Sequence, residues 1–409
     1  MIKAEINEIR ALFSGNLTDC GISRIAGCYV NGDKKKVMTY ASSFLTLPEE
    51  EQYKYLEIFR KTMSGSIGKN LFDMEFSHDE GYRNEAQDFL MELKMSKLED
   101  EKLIEAFYDK VIETYNYVGN YLIILIFQSY DVPGITSDNI EMEDASEEVY
   151  DYLLCSICPV KLSKPGLGYD AYSNGFHNLQ QNNMVELTQT GFLFPAFTER
   201  SADIDRILYY TKNTADMQQD FIDLFLKCHV PMAANQQKET FNTLIEETLG
   251  DDGDYDTIKH IHENLAVMHR EKKSDGEELI LDKDRVKDLF KVSGVPDEKL
   301  ENFDETFEKS FEIVNEKALE KKVDEAMKAG EEHLEDVHIA PVEEKERVFR
   351  ATNVMAQKTF DIKTPEVVVK INSDNTDLVE ERIIDGKKCL VIKLTEGIVV
   401  NGIPVRLYK

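Results

Sequence analysis

The run Tyr121-Leu-Ile-Ile-Leu-Ile-Phe127 limits what this chain can fold into more than any other stretch. It is far shorter than the roughly 20 apolar residues a membrane-spanning helix needs, and no polar residue interrupts it. A strand of that kind is buried on both faces and belongs at the centre of a sheet. Gly119 before it and Pro133-Gly134 after it supply the turn chemistry that bounds it.

Its neighbours point to a mixed fold. Ile2, Ile6, Ile9, Leu12 and Phe13 give residues 1–14 a helical period, and the start Met1-Ile-Lys-Ala-Glu reads as an amphipathic helix, not a signal peptide. Residues 23–30 and 35–40 flank Asn31-Gly32, which predicts a two-residue hairpin turn. Pro48 followed by three glutamates opens a helix carrying Leu56, Phe59 and Met63. Leu103, Phe107, Val111 and Tyr115 predict another over 100–116. Residues 149–162 read as a second long strand, with short ones near 184–187, 192–197 and 207–210. Residues 1–212 are therefore expected to form one α+β domain.

Beyond it the period turns helical over 213–311, with faces at Phe221/Leu224/Phe225/Cys228, Phe241/Leu244/Ile245, Ile258/Ile261/Leu265/Met268 and Leu300/Phe303/Phe307/Phe311. Residues 312–355 are charged and read as a helix and linker. Residues 356–409 return to strand, built on Asp385-Gly386 and Asn401-Gly402 turns. The expected fold class is α+β: an N-terminal mixed unit, a central helical region and a small C-terminal β unit.

Charge narrows the partners. Against 48 Lys and Arg stand 78 Asp and Glu, a formal charge of −30, which repels polyanions at long range. Contact with DNA would need a local basic patch. The candidates are Arg24 with Lys34, Lys35 and Lys36 on the first hairpin, and Arg60, Lys61 and Lys69.

No chemical motif is complete. Cys155-Ser-Ile-Cys158 has the spacing of half a zinc site or a redox pair, but no second pair completes zinc, and in a strand positions i and i+3 face opposite ways. The six cysteines are sparse and fit reduced thiols. His262-Glu263 opens like HExxH, yet Ala266 stands where the second histidine belongs; His260, His262 and His269 read as solvent-facing. Ser66-Ile-Gly-Lys69 matches S-x-x-K and Ser137-Asp-Asn139 and Ser373-Asp-Asn375 match S-D-N, but K-T-G is missing. Gly65–Asn70 lacks the glycine and the Ser/Thr of a phosphate-binding P-loop, leaving only a weak backbone nest. The acids of residues 251–256 read as a helix cap. Residues 283–292, the turn Ser293-Gly-Val-Pro296 and the helix from Asp297 have helix–turn–helix layout, but the second helix is acidic and reads as packing. No cofactor and no metal ligand set is expected.

Two resemblances follow from longer stretches. The segments IFRKTMSGSIGKN, YDKVIETYNYVGNYLIILI, EDASEEVYDYLLCSICPVKLSKPGL and GFLFPAF, with the ending TPEVVVKINSDNTDLVEERIIDGKKCLVI, resemble a domain-of-unknown-function family of anaerobic Gram-positive bacteria. More distantly, the order of YLIILIF, GFLFPAFTER, DFIDLFLKC, ANQQKETFNTLIEETL and the β tail is similar to nucleoid-associated NdpA/YejK-type proteins. That second resemblance implies DNA or a DNA-bound partner.

The expected function is that of a non-enzymatic cytoplasmic interaction protein, nucleoid-associated through DNA or a DNA-bound protein. The alternatives are an enzyme with an unfamiliar site, using Cys155, Cys158 or the 66–69 loop, and an acidic nucleic-acid mimic. The expected partner is a protein, with no membrane contact and with self-association left open.

Overall fold

Residues 121–127 lie inside the long strand Asn120–Ile135, as their unbroken apolar pattern predicts. The computed structural model describes the chain except for residues 16–19, 78–83, 136–140, 171, 173, 180, 215–216, 251–252, 275–277, 330–346, 356–358, 394–398, 401–402 and 405–409. It is an α+β protein in two units, Met1–Ala233 and Ala234–Lys409.

The first unit opens with α1 (Lys3–Ala11), β1 (Ile22–Val30), β2 (Lys36–Ser43), α2 (Glu49–Thr62) and β3 (Leu71–Phe76). Then come α3 (Glu85–Met95), α4 (Glu101–Thr114), β4 (Asn120–Ile135) and β5 (Glu141–Leu162). Shorter strands follow: β6 (Gly166–Asp170), β7 (Gly175–Leu179), β8 (Asn183–Val185) and β9 (Thr190–Phe194). The last are β10 (Ala196–Thr198), β11 (Ser201–Asp203), β12 (Arg206–Thr211) and β13 (Cys228–His229).

One antiparallel sheet runs in the order β13-β3-β12-β9-β5-β4-β1-β2, with β8 beside the end of β5. Its side chains alternate between two cores. Ile123, Leu125, Cys155 and Ile157 face one, shared with Leu90, Phe107 and Val111 of α3 and α4. Ile124, Ile126, Leu154 and Cys158 face the other, shared with Ile6 and Ile9 of α1 and Leu56 and Phe59 of α2. Helices on both faces are what a strand without polar alternation requires; each aliphatic side chain so buried contributes about 1.5–3 kcal/mol.

Three local readings change. The first hairpin turn is a five-residue loop, closed by Asn31 N–H to Lys35 O, with the Asn31 Oδ1 accepting from the N–H groups of Asp33 and Lys35. The left-handed position is Lys34 (φ 57°), because the Asn31 side chain supplies the turn that the Asn-Gly backbone would have made. Phe221–Leu226 is a π-helical turn whose buried residues join the α3/α4 core while Leu224 is exposed, and β13 pairs with β3, so residues 213–233 belong to the first unit. Strands β3, β6 and β7 and helix α3 went unread in the sequence.

The second unit contains α5 (Ala234–Leu249), α6 (Tyr255–Ser274), β14 (Ile280–Leu281), α7 (Lys283–Val292), α8 (Asp297–Leu300) and α9 (Phe303–Ala329). After them come β15 (Phe349–Arg350) and α10 (Ala351–Val354). Phe241, Phe290, Phe303, Phe307, Phe311 and Phe349 form a chain of ring contacts at 5.1–6.2 Å that fixes this core. Asp254 Oδ1 accepts from Thr257 N–H and caps α6, the role expected of that acidic loop.

The chain ends in the hairpins β16 (Thr359–Lys363)/β17 (Val368–Asn372), β18 (Val379–Ile384)/β19 (Lys387–Ile392) and β20 (Val399–Val400)/β21 (Ile403–Pro404). Asp385 and Gly386 both take positive φ (51° and 73°), the type I′ geometry that Asp-Gly predicts. The Asn401-Gly402 turn lies outside the described residues.

Candidate interaction surfaces

Cys155 and Cys158 are both buried, in different cores, because three residues along β5 reverse the side-chain direction. Burial pushes both thiols up, Cys158 to about 12, so neither is a ready nucleophile or metal ligand. Around Cys158 sits a sealed hydroxyl network: Thr62 Oγ1 lies 2.7 Å from Ser156 Oγ and 2.9 Å from Thr188 Oγ1, and Thr188 donates to Ile58 O at 3.2 Å. Gly191 makes room for it, since a Cβ there would stand 2.7 Å from Thr62 Cγ2 and 2.4 Å from Cys155 O.

The 66–70 loop is occupied with itself. Ser66 O accepts the N–H groups of Lys69, Asn70 and Leu71, Gly68 N–H reaches Leu71 O, and Ser66 N–H reaches Asn70 Oδ1. Those donors are spent on the turn, which removes the anion nest. Of the S-D-N matches, Ser137-Asp-Asn139 falls outside the described backbone. His262 is not solvent-facing: its ring packs on Phe360 at 5.7 Å, its Nδ1 is buried without a partner among the described residues, and burial lowers its pKa to about 4. His260 is exposed. The α7–α9 segment pairs Lys287 with Asp304 and Lys291 with Asp297, the packing expected of an acidic second helix. Among the described residues no group of three or more His, Cys, Asp or Glu is placed to hold a metal ion, and no helix is long and apolar enough to cross a membrane.

The seven basic candidates divide between the two faces of the sheet. Lys36 of β2 is held by Glu105 at 2.7 Å and Asp109 at 2.8 Å on α4. Lys34 reaches Asn116 Oδ1 at 3.4 Å, Lys35 is exposed, and Arg24 is half-buried on β1, its Nε lacking a hydrogen-bond partner among the described residues. Asn116 also lines a cavity of about 420 Å³ with Tyr117, Gln189, Gln218 and Asp220, a lining of amides, a phenol and one carboxylate. Arg60 and Lys61, in the last turn of α2, lie across the sheet and line a second hollow of about 350 Å³ with Arg10, Glu57, Ser64 and Leu187. Lys69 is exposed in the following loop and does not line it. The sequence reading missed Arg10, whose contribution needs α1 and α2 to be neighbours.

It also missed an exposed apolar surface. β6 and β7 form a two-stranded sheet of their own, and Leu167, Tyr169 and Phe176 on it are 78%, 56% and 72% exposed. Leu162, Met184, Val185 and Leu187, on either side in sequence, are exposed as well. The sequence signal was available in the alternating apolar residues of Gly166-Leu-Gly-Tyr and Gly175-Phe-His-Asn-Leu.

Two helix-covered cores on one antiparallel sheet, followed by a helical unit with terminal hairpins, define an α+β protein. The chain belongs to a family described as a domain of unknown function, DUF4317, whose family model matches residues 1–330 and 326–403. No curated protein matches it.

Proposed function

We propose that this chain is a non-enzymatic interaction protein of the cytoplasm, and that its β6–β7 arm docks a protein partner with an apolar contact surface set in a basic surround. The observation that carries this reading is the run of large apolar side chains left in solvent between residues 162 and 187. Large apolar side chains clustered in solvent, as Tyr169 and Phe176 are with ring centres 5.7 Å apart, favour an interaction site. The basic surround follows from charge: a protein of net charge −30 attracts a cationic partner at long range and repels a polyanion. A DNA-bound protein has that character, and this supports the nucleoid-associated version drawn from the resemblance in chain layout. Direct DNA contact through the first hairpin is disfavoured, because Lys36 is already neutralised by two carboxylates.

A tagged pull-down with and without nuclease, run beside the Leu167→Ser/Phe176→Ser variant, tests the reading. A basic protein that survives nuclease and is lost with the variant is the expected result. Partners that vanish with nuclease and ignore the variant would overturn the arm in favour of nucleic-acid contact. An empty pull-down would transfer the case to an enzyme with an unfamiliar site.

A further inference from the structure

Arg10 closes α1, and Arg60 and Lys61 close α2. Basic residues in a last helical turn complement the helix dipole, which accounts for a cation at each end but not for three lining one hollow. Several part-buried cations elsewhere in the fold are matched: Lys36 by Glu105 and Asp109, Arg206 by Asp73, Arg200 by Glu8, Arg350 by Glu278. In a chain where acids outnumber bases 78 to 48, carboxylates are the abundant partner. Yet among the described residues none lies within ion-pair distance of Arg10, Arg60 or Lys61, and Glu57, the one acid lining the hollow, stands 3.9 Å from Lys54.

We infer that the hollow lined by Arg10, Arg60, Lys61 and Ser64 binds a phosphate monoester carried on a small organic molecule. Three cations and one carboxylate leave a formal local charge of +2, which a monoester phosphate of about −1.5 to −2 at neutral pH offsets. Two guanidiniums offer the planar forks that match phosphate oxygens. The Lys61 ammonium sits 5.9 Å from the centre of the Tyr210 ring, a contact that orients it before any ligand arrives. The Tyr210 hydroxyl lies beside Ser64, whose own hydroxyl donates to Lys61 O at 2.7 Å. Leu187 gives the hollow an apolar wall for the organic part of the ligand. The volume, about 350 Å³, suits a small molecule and not a duplex. The hollow shares Leu187 with the exposed apolar run beside the β6–β7 arm, whereas its three cations come from α1 and α2.

Calorimetric titration with phenyl phosphate, inorganic phosphate and a short DNA duplex lacking terminal phosphates tests the proposal on the full chain. Phenyl phosphate is expected to bind one per chain and more tightly than inorganic phosphate. Arg60→Gln and Lys61→Gln are each expected to weaken it about 10-fold or more, while Lys69→Gln, outside the hollow, leaves it unchanged. Two separate variants guard against a folding defect in either. Equal weakening by Lys69→Gln would reduce the effect to diffuse charge and overturn the site. Absence of phenyl phosphate binding, or binding of the duplex in preference to it, would overturn it too.

Discussion

Cys155 and Cys158 stand three residues apart on β5, and their side chains enter different cores on opposite faces of the sheet. They share neither a metal position nor a disulfide geometry, since a bridge needs Cβ atoms about 3.5–4.5 Å apart on converging vectors. Cys28 and Cys228 are buried as well, whereas Cys20 and Cys389 are half-buried. Burial raises the thiol pKa of Cys28 to about 11 and of Cys158 to about 12. Titration of the native chain with a chromogenic disulfide is therefore expected to reach Cys20 and Cys389 first, with the other four released only on unfolding. Fast native labelling at Cys155 or Cys158 would contradict this geometry.

Thr62 is the hub of the sealed hydroxyl network, bonded to Ser156, Thr188 and the Ile58 carbonyl. Thr62→Val keeps the shape and leaves buried hydroxyls short of a partner. A loss of about 1–3 kcal/mol in urea unfolding is expected. A neutral result would mean that Ser156 and Thr188 satisfy each other.

His262 predicts a pH dependence of the second unit. Its pKa is lowered from 6.5 to about 4, first by burial and then by Lys238. Between those values the unfolded chain holds more protons than the folded one, so stability rises with pH across the window. The contribution is complete above about pH 6.5 and is lost as pH falls toward 4, on the order of 3 kcal/mol in all. Replacing His262 by Leu should flatten that part of the stability profile. An unchanged profile would assign the acid sensitivity to other groups.

The pair from Lys36 to Glu105 and Asp109 is only partly screened from water, so Lys36→Gln should cost about 1 kcal/mol or less. The same variant is expected to leave DNA affinity unchanged, because the charge is already matched within the fold. A fall in affinity in a gel-shift series would return the hairpin to the list of nucleic-acid contacts.

The arm variant Leu167→Ser/Phe176→Ser should move global stability by about 0.5 kcal/mol or less, since these side chains are mostly in solvent. A large loss by thermal melting would place the arm in the fold instead of at an interface.

Local chemistry made much of the fold legible in the sequence. The apolar run from Tyr121 could only be a strand buried on both faces, Asp385-Gly386 carried its own type I′ turn, and Cys155 and Cys158 were set apart by strand parity alone. These outcomes depend on period, backbone freedom and sterics within a few residues. The π-helical turn at Phe221–Leu226 joined the first unit because the α3/α4 core draws its phenylalanines in, a preference its own helical period did not reveal. Asn31 replaced a two-residue turn with a side-chain-closed loop. His262 lost its solvent to Phe360, about a hundred residues further on. Only packing between distant segments brought Arg10 to Arg60 and Lys61, or set Lys36 between two acids. Secondary structure follows from neighbours in the chain, whereas the charge left unmatched at a surface depends on which elements the sheet holds side by side.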